Sequence, residues 1–393
     1  GPGVGWTAPA PSPPPPGVGW LFAYDWDAIA CDALERAGVA RFDTAGFDLF
    51  RFPDNAALIA LDLDRMATRQ ARIGRRRRWQ GCLSHHEQFG TLTAALVAER
   101  LGLPGTSPES VLAAQHKLHA RTVLQQVVPE ANLGFSGLDV RYGEPIPDGL
   151  TYPCFVKPVK AAFSVLARQV DDRDTLQRHT RFTWAEAWII RHLVEPFERV
   201  CRARLPQAGT AHRLMLEEPI PAHCAQYNLD GWVHDGRVRG LAVVDAIMVP
   251  GTQAFMRWEV PSRLPPAVQA RALDVARRFL GAIGFTLGFF NMEFFHDAAT
   301  DRLTVIEFNP RLASQFGDLH RRVLGADAHA MSVALALGRD PETVPRLAPT
   351  AGAAASLVFR TLDGQTPPPP PNREQRAAFA RDHPDGLLFS QPK

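Results

Sequence analysis

Folded as a hairpin, residues 288–311, GFFNMEFFHDAATDRLTVIEFNPR, set two carboxylates against each other. Two apolar, aromatic-rich runs flank a polar loop at 297–302. Side chains alternate faces along a strand, so Asn291 and Glu293 share one face, as do Glu307 and Asn309. Symmetric folding about Thr300 places Glu293 opposite Glu307 and Asn291 opposite Asn309. Like charges directly across a ladder repel unless a cation compensates them. Hard oxygen donors at short range suit magnesium, which takes one or two carboxylates together with phosphate oxygens. Manganese accepts the same donors. A surface hairpin with a polar outer face is the competing reading. The neighbours Phe290, Phe294, Phe295, Val305, Ile306 and Phe308 predict mostly buried strands. Buried carboxylates need partners, which favours the metal.

Lysine is scarce, which makes Lys117, Lys157 and Lys160 conspicuous. Lys157 lies inside the apolar run CFVKP, where a buried ammonium is costly unless an anion meets it. A polyphosphate is such an anion. The following loop, VKAAFS, can fold over phosphates with its backbone N–H groups and the Ser164 hydroxyl. A strand-edge lysine that snorkels to water is the alternative for Lys157. The chain has no GxxxxGK[ST] and no GxGxxG after a strand, so neither a P-loop nor a Rossmann dinucleotide site is supported.

Composition excludes several classes. Lys and Arg total 43 against 41 Asp and Glu, a net charge of +2, which gives no global field for nucleic acid. A hydrophobic fraction of 46% excludes a disordered chain. The longest uncharged apolar run, 279–290, falls well short of the roughly 20 residues needed to span a bilayer, so no membrane partner is expected. Five scattered cysteines without a Cys-x-x-Cys pair fit a reducing cytoplasm rather than a zinc or disulfide framework. The basic run 75–78 reads as a solvated helix end.

Along the chain, short strands at 21–24 and 81–84 alternate with helices at 28–37 and 88–101, predicting a small parallel α/β domain. A helix over 111–126 follows, then strands at 154–158, 165–170 and 214–220. Runs at 226–233 and 237–248 flank the turn His234-Asp235-Gly236, and an amphipathic helix covers 265–283. Antiparallel hairpins make this part α+β. Six prolines in residues 9–16 and five at 367–371 read as a leader and a linker. Gly1-Pro2 reads as a protease-cleavage scar or a truncated start, and no secretory signal is visible.

Several segments together resemble the ATP-grasp superfamily, in the carboxylate–amine ligase branch related to biotin carboxylase and carbamoyl phosphate synthetase. The resemblance runs from about Gly81 to Asp340. LVAERLGLPGTSPESVLAAQHKLHARTVLQ resembles the end of a preceding domain running into the first nucleotide-binding lysine, Lys117. FVKPVKAAFS resembles the second lysine strand and its phosphate loop, with Lys157 near the α- and β-phosphates. LMLEEPI is similar to the adenine linker. There Glu217 would face the adenine amino group, and backbone atoms of Glu218 and Ile220 would read the ring edge. QYNLDGWV carries Gln226 where an acidic residue is common. NMEFF and IEFNPR are similar to the magnesium and phosphate signature, which implies Glu293, Glu307 and Asn309 on metal and Arg311 on phosphate. Ala161-Ala162-Phe163 stand where relatives carry glycines.

The resemblance implies an α/β and α+β ATP-grasp fold. Residues 1–18 would be a Pro-rich leader or tag remnant, 19–110 a pre-ATP-grasp α/β domain and 111–213 a lid subdomain. Residues 214–345 would be a C-terminal catalytic subdomain with an antiparallel sheet, and 346–393 an extension with a Pro-rich linker. It implies an ATP-dependent ligase that takes small-molecule carboxylate and amine substrates through an acyl phosphate, and a homodimer through the first domain. Carboxylation, or a degenerate nucleotide sensor, are the other readings. Lys157 and Arg311 are the expected catalytic groups. Glu87, at the carboxyl end of a strand, is expected to contact the amine, and Arg257 a substrate carboxylate. Adjacent His85 and His86, read on a helix, diverge by about 100° and miss metal-pair spacing.

Overall fold

The computed structural model describes residues 12–49, 51, 53–139, 144–160, 166–359 and 369–389. Ser164 and the Ala161-Ala162-Phe163 stretch lie outside the described residues.

The amino-terminal unit is a parallel three-stranded sheet with β1 (Gly17–Leu21) between β2 (Arg41–Ala45) and β3 (Trp79–Leu83). Parallel neighbours need crossovers, and α1 (Asp25–Arg36) and α2 (Leu63–Arg77) supply them. Strand β1 begins at Gly17 and is buried throughout, so Gly17 and Val18 belong to the central strand and not to a leader. Strand β2, RFDTA, escaped the sequence reading because it is a half-exposed edge whose Asp43 pairs with Arg77. Helix α3 (Gly90–Leu101) ends on Gly102 at φ 64°, a left-handed position that glycine adopts without strain.

The helix expected over 111–126 is two, α4 (Pro108–Gln115) and α5 (Lys117–Val127), broken at His116. The His116 imidazole caps α5, its Nδ1 accepting the backbone N–H of His119 at 3.1 Å. A four-stranded antiparallel sheet follows, ordered β4-β7-β5-β6. Its strands are β4 (Phe135–Leu138), β5 (Cys154–Pro158), β6 (Arg168–Val170) and β7 (Leu214–Glu217). Helices α6 (Arg173–His179) and α7 (Trp184–Arg204) connect β6 to β7. The carboxyl-terminal half of α7 packs Val194, Phe197, Val200 and Cys201 into the core of the first unit.

The third unit is a six-stranded antiparallel sheet ordered β12-β11-β8-β9-β10-β13. Its strands are β8 (Ala225–His234), β9 (Arg237–Met248), β10 (Phe255–Val260), β11 (Gly288–Asp297), β12 (Arg302–Asn309) and β13 (Ala354–Leu357). Helix α8 (Pro266–Ala282) lies under the β11–β12 hairpin and stacks Phe279 on Phe308 at 3.9 Å. Strand β13, from the stretch read as a carboxyl-terminal extension, pairs with β10. Helices α9 (Gly317–Leu324) and α10 (Ala328–Ala336) follow the hairpin, and α11 (Arg373–Asp382) lies beyond β13. Helix α10 docks against β3, where a Cβ on Gly81 would meet the Ala336 carbonyl oxygen at 2.7 Å. Gly81 therefore permits the close approach of the third unit to the first. Among the described residues no helix is long and apolar enough to cross a membrane.

Candidate active site

The hairpin pairs Glu293 with Glu307 and Asn291 with Asn309. A bulge produces this opposition, not a symmetric loop. Near the turn, Asp297 faces Arg302 and Phe294 faces Val305, one residue out of step with a fold centred on Thr300. The register then shifts between Glu293 and Phe294, leaving Ile306 as the extra residue. Strict alternation would send Glu307 to the same face as Leu303 and Val305, which is the core. The extra residue reverses the phase, so Phe308 enters the core while Glu307 and Asn309 turn to the site. On β11 no reversal is needed: Phe290, Met292 and Phe294 are core, and Asn291 and Glu293 face the other way.

Around these carboxylates the charges are ordered. Lys117 Nζ lies 2.9 Å from Glu307 Oε2. Asn309 donates to Glu293 at 3.3 Å, and Gln226 donates to the other Glu293 oxygen at 3.3 Å. Burial and the facing Glu307 push the Glu293 carboxyl above its ordinary range. Burial would also raise Glu307, but Lys117 and Lys157 hold it below the usual carboxylate range. Two opposed carboxylates, one of them driven toward its neutral form, are a donor set that a hard divalent cation fits. Asn291 links its facing Asn309 to a buried chain: its Oδ1 accepts from the Asn309 amide at 3.4 Å, while its Nδ2 donates to Asp230 at 2.7 Å, which in turn meets His320 at 2.7 Å.

Glu217, expected to face an adenine amino group, turns one carboxylate oxygen to two cations of the fold. It is 5% exposed and lies between Lys157 Nζ at 2.9 Å and Arg121 Nε at 2.8 Å. Those two cations hold its carboxyl down at about 2 against the opposing effect of burial. The backbone N–H of Glu218 is likewise bonded within the fold, to the Gly134 carbonyl at 2.8 Å, and so cannot serve as the ring-edge donor. Ile220 sits half-buried in the loop after β7.

A second pair stands where the three units meet. Arg311 Nε lies 3.0 Å from Glu87 Oε2. Burial pushes the Glu87 carboxyl up while Arg311 opposes the shift. The Glu87 carbonyl accepts from Gln115 at 2.9 Å and from Lys160 Nζ at 3.3 Å. Lys160 is 2% exposed, with its ammonium 5.0 Å from the centre of the Phe197 ring. Arg257 is not part of the cluster. It lies on β10, separated from β11 by β8 and β9, and pairs with Glu259.

Sequence reasoning missed Arg121 and gave Lys160 no role. Arg121 is 2% exposed and joins Glu217, Asn132 and the carbonyls of Val305 and Ile306. The available signal was its spacing: four residues after Lys117, it shares a helix face with that lysine.

No family model matches the sequence. The chain is 28% identical over 298 residues to carnosine synthase 1 of Gallus gallus, covering 72% of this chain and 30% of that protein. It therefore spans well under half the length of that curated relative. Among solved structures it is similar to L-amino acid ligase from Bacillus licheniformis, with 16% identity, a TM-score of 0.59, and 83% and 75% of the two chains covered. It is also similar to biotin carboxylase from Campylobacter jejuni, with 14% identity, a TM-score of 0.56, and 86% and 73% covered. A third is carboxyaminoimidazole ribonucleotide synthase from Aspergillus clavatus, solved with ATP, with 16% identity, a TM-score of 0.59, and 84% and 78% covered. This is the ATP-grasp fold. In this fold the four-stranded sheet carries Lys157, the helix before it carries Lys117, and the six-stranded sheet carries the acidic hairpin.

Proposed function

We propose that this chain is an ATP-dependent carboxylate–amine ligase that forms an amide through an acyl phosphate and releases ADP and phosphate. The carrying observation is one juxtaposition. The Glu293–Glu307–Lys117 cluster and the Arg311–Glu87 pair hang on one hairpin and its exit, two residues apart at Asn309 and Arg311. Phosphate charge can therefore be bound beside a guanidinium that faces a carboxylate from another unit.

In this reading Lys117 and Lys157 offset charge on the triphosphate, and Glu293, Glu307 and Asn309 hold magnesium. When bound, the ion supplies neutralisation of the phosphate oxygens. The substrate carboxylate oxygen attacks the γ-phosphorus in line, and the bond from phosphorus to the ADP oxygen breaks. The amine then bonds to the acyl carbon, phosphate leaves and the amine loses a proton. Arg311 presents a planar fork to the transferring phosphoryl group and to the leaving phosphate. Glu87, with its carboxyl raised by burial, is suited to take the amine proton. The buried setting of Lys157 and Lys160 keeps water from the reactive acyl phosphate. The L-amino acid ligase likeness supports amino acids as the first substrates to try.

The test measures ADP and phosphate release over a panel of amino acids and other carboxylates, with and without amines, and identifies the product by mass spectrometry. Amide formation abolished by Glu307→Gln is the expected result. Turnover that survives that substitution sinks the assignment of the hairpin. Bicarbonate-driven turnover without an amine supports carboxylation instead, and nucleotide binding with no turnover supports a sensor.

A further inference from the structure

His85 leaves the strand β3 in a loop and turns away from His86, into a buried cluster built from distant segments. Its Nδ1 lies 2.9 Å from Asp27 Oδ1, and His329 Nε2 lies 3.1 Å from the same oxygen. The Ser314 hydroxyl lies 2.7 Å from that oxygen and 3.1 Å from His85 Nδ1. Asp27 is 0% exposed, His85 3% and His329 8%. The three potential ligand atoms of Asp27, His85 and His329 lie within 4.8 Å of one another.

We propose that Asp27, His85 and His329 form a site for a divalent transition metal, zinc by its chemistry, separate from the acidic hairpin. Three arguments carry it. The first is charge. A fully buried carboxylate needs a cation or a metal, and among the described residues the side chains bonded to Asp27 are imidazoles and a hydroxyl, with no lysine or arginine.

The second is geometry. Ligands about 2.0–2.1 Å from a tetrahedral zinc stand about 3.3 Å apart. Asp27 Oδ1 lies 2.9 Å from His85 Nδ1 and 3.1 Å from His329 Nε2, a few tenths of an ångström inside that value, and all three ligand atoms lie within 4.8 Å of one another. Ser314 or a water completes four-coordination. Two imidazoles and one carboxylate select zinc over magnesium.

The third is the surrounding shell. Metal-bound histidines are held through their other ring nitrogen, and His85 Nε2 meets the Ser332 hydroxyl at 3.1 Å. The second Asp27 oxygen accepts from the Tyr24 N–H at 2.9 Å. Trp20 packs edge-on to His85 and stacked on His329. Asp27 and His85 come from the first unit and His329 from α10 of the third. The ion would thus clasp the wall of the catalytic cleft to the sheet that carries the hairpin.

The test is titration of the purified full chain with Co2+, followed by its visible absorption, and with Zn2+ in competition. One Co2+ per chain with tetrahedral absorption is expected, displaced by Zn2+. Asp27→Asn and His329→Gln should weaken binding more than 10-fold, and Glu307→Gln should leave the absorption in place. His329→Cys should keep the ion and add a sulfur-to-cobalt band in the near ultraviolet, a readout that requires direct ligation even if Asp27→Asn fails to fold. Absence of stoichiometric binding overturns the proposal and leaves an imidazolium as the counter-charge. Equal binding by Asp27→Asn overturns it as well.

Discussion

Arg121 donates to the carbonyl oxygen of Val305 at 2.7 Å, at the edge of the bulge that turns Glu307 toward the site. The neighbouring Ile306 carbonyl accepts from the same guanidinium at 3.0 Å. Strand β12 is the edge of its sheet, and one fully buried side chain satisfies both of these neighbouring carbonyls. The third arm of Arg121 reaches Glu217, which holds Lys157. A single residue therefore fixes the phase of the hairpin and the position of Lys157, the lysine proposed to meet the nucleotide.

Arg121→Met should then act on both. Removing one partner of a buried ion pair costs about 3–5 kcal/mol, more than the net worth of the pair, because Glu217 is left under-compensated. Urea denaturation should show a loss of that order, and the surviving folded protein should bind nucleotide more weakly. Arg121→Lys should rescue the charge on Glu217 but not both carbonyls, because a lysine lacks the fork. An unchanged urea midpoint in Arg121→Met would remove Arg121 from this role.

These residues also show what the sequence could and could not reveal. The period of two along β11 and β12 made the shared faces of Asn291 and Glu293, and of Glu307 and Asn309, readable at once. The opposition of Glu293 and Glu307 was readable too, although through a symmetric loop that the chain does not form. A shorter turn and a bulge at Ile306 reach the same pairing, and nothing local to IEFNPR encodes the bulge, because its clamp is Arg121 on α5. Glu217 hid its two counter-charges for the same reason. Its partners come from α5 and β5, and only tertiary structure brings them together. His85 was weighed on a helix beside His86, whereas it lies in a loop and meets residues 58 and 244 positions away.

Glu307 and Lys117, 2.9 Å apart, are the pair proposed to meet the charge of a bound phosphate. Glu307→Gln removes one of the two opposed carboxylates, and Lys117→Met removes its counter-charge. Each should lower ATP-dependent turnover by about 100-fold or more, the scale of losing one preorganised electrostatic contact in a water-poor site. Because the two residues touch, the double variant should lose less than the product of the single losses. Coupled detection of ADP under saturating substrates measures all three, and strictly multiplicative losses would contradict a shared role.

Lys160 should trade stability for binding. Burial pushes its ammonium down to about 8, so at neutral pH the folded chain carries a charge in an unfavourable place. Replacing it by methionine should raise stability at pH 7 by on the order of 1–3 kcal/mol, since one pKa unit corresponds to about 1.4 kcal/mol. The sign of the pH dependence follows. Between about 8 and the ordinary lysine value of 10.5 the unfolded chain binds the proton more than the folded one. Stability contributed by this site therefore rises with pH across that window, and Lys160→Met should flatten the rise. Weaker nucleotide binding by the same variant should accompany the gain. A variant that is destabilised and binds normally would contradict the idea.

His116 gives the opposite end of the pH scale a defined weak point. Its Nδ1 must stay unprotonated to accept the His119 N–H, while Nε2 faces the Gly209 carbonyl at 3.2 Å. The residue is 0% exposed, and burial pushes the imidazole down to about 4. As pH falls below 6.5 the unfolded chain takes up a proton that the native ring refuses, so stability falls until about pH 4. At about 1.4 kcal/mol per unit, this one site accounts for a loss of about 2 kcal/mol between pH 7 and pH 5. Asparagine caps a helix without titrating. His116→Asn should therefore keep α5 capped, and with it the placement of Lys117 at the first turn, while its urea midpoint declines less steeply on acidification. His86, pushed down to about 3 by burial, should keep part of the acid slope in the variant. Identical slopes in the two proteins would show that His116 already accepts a proton in the native state, and that the cap before Lys117 does not depend on its neutral form.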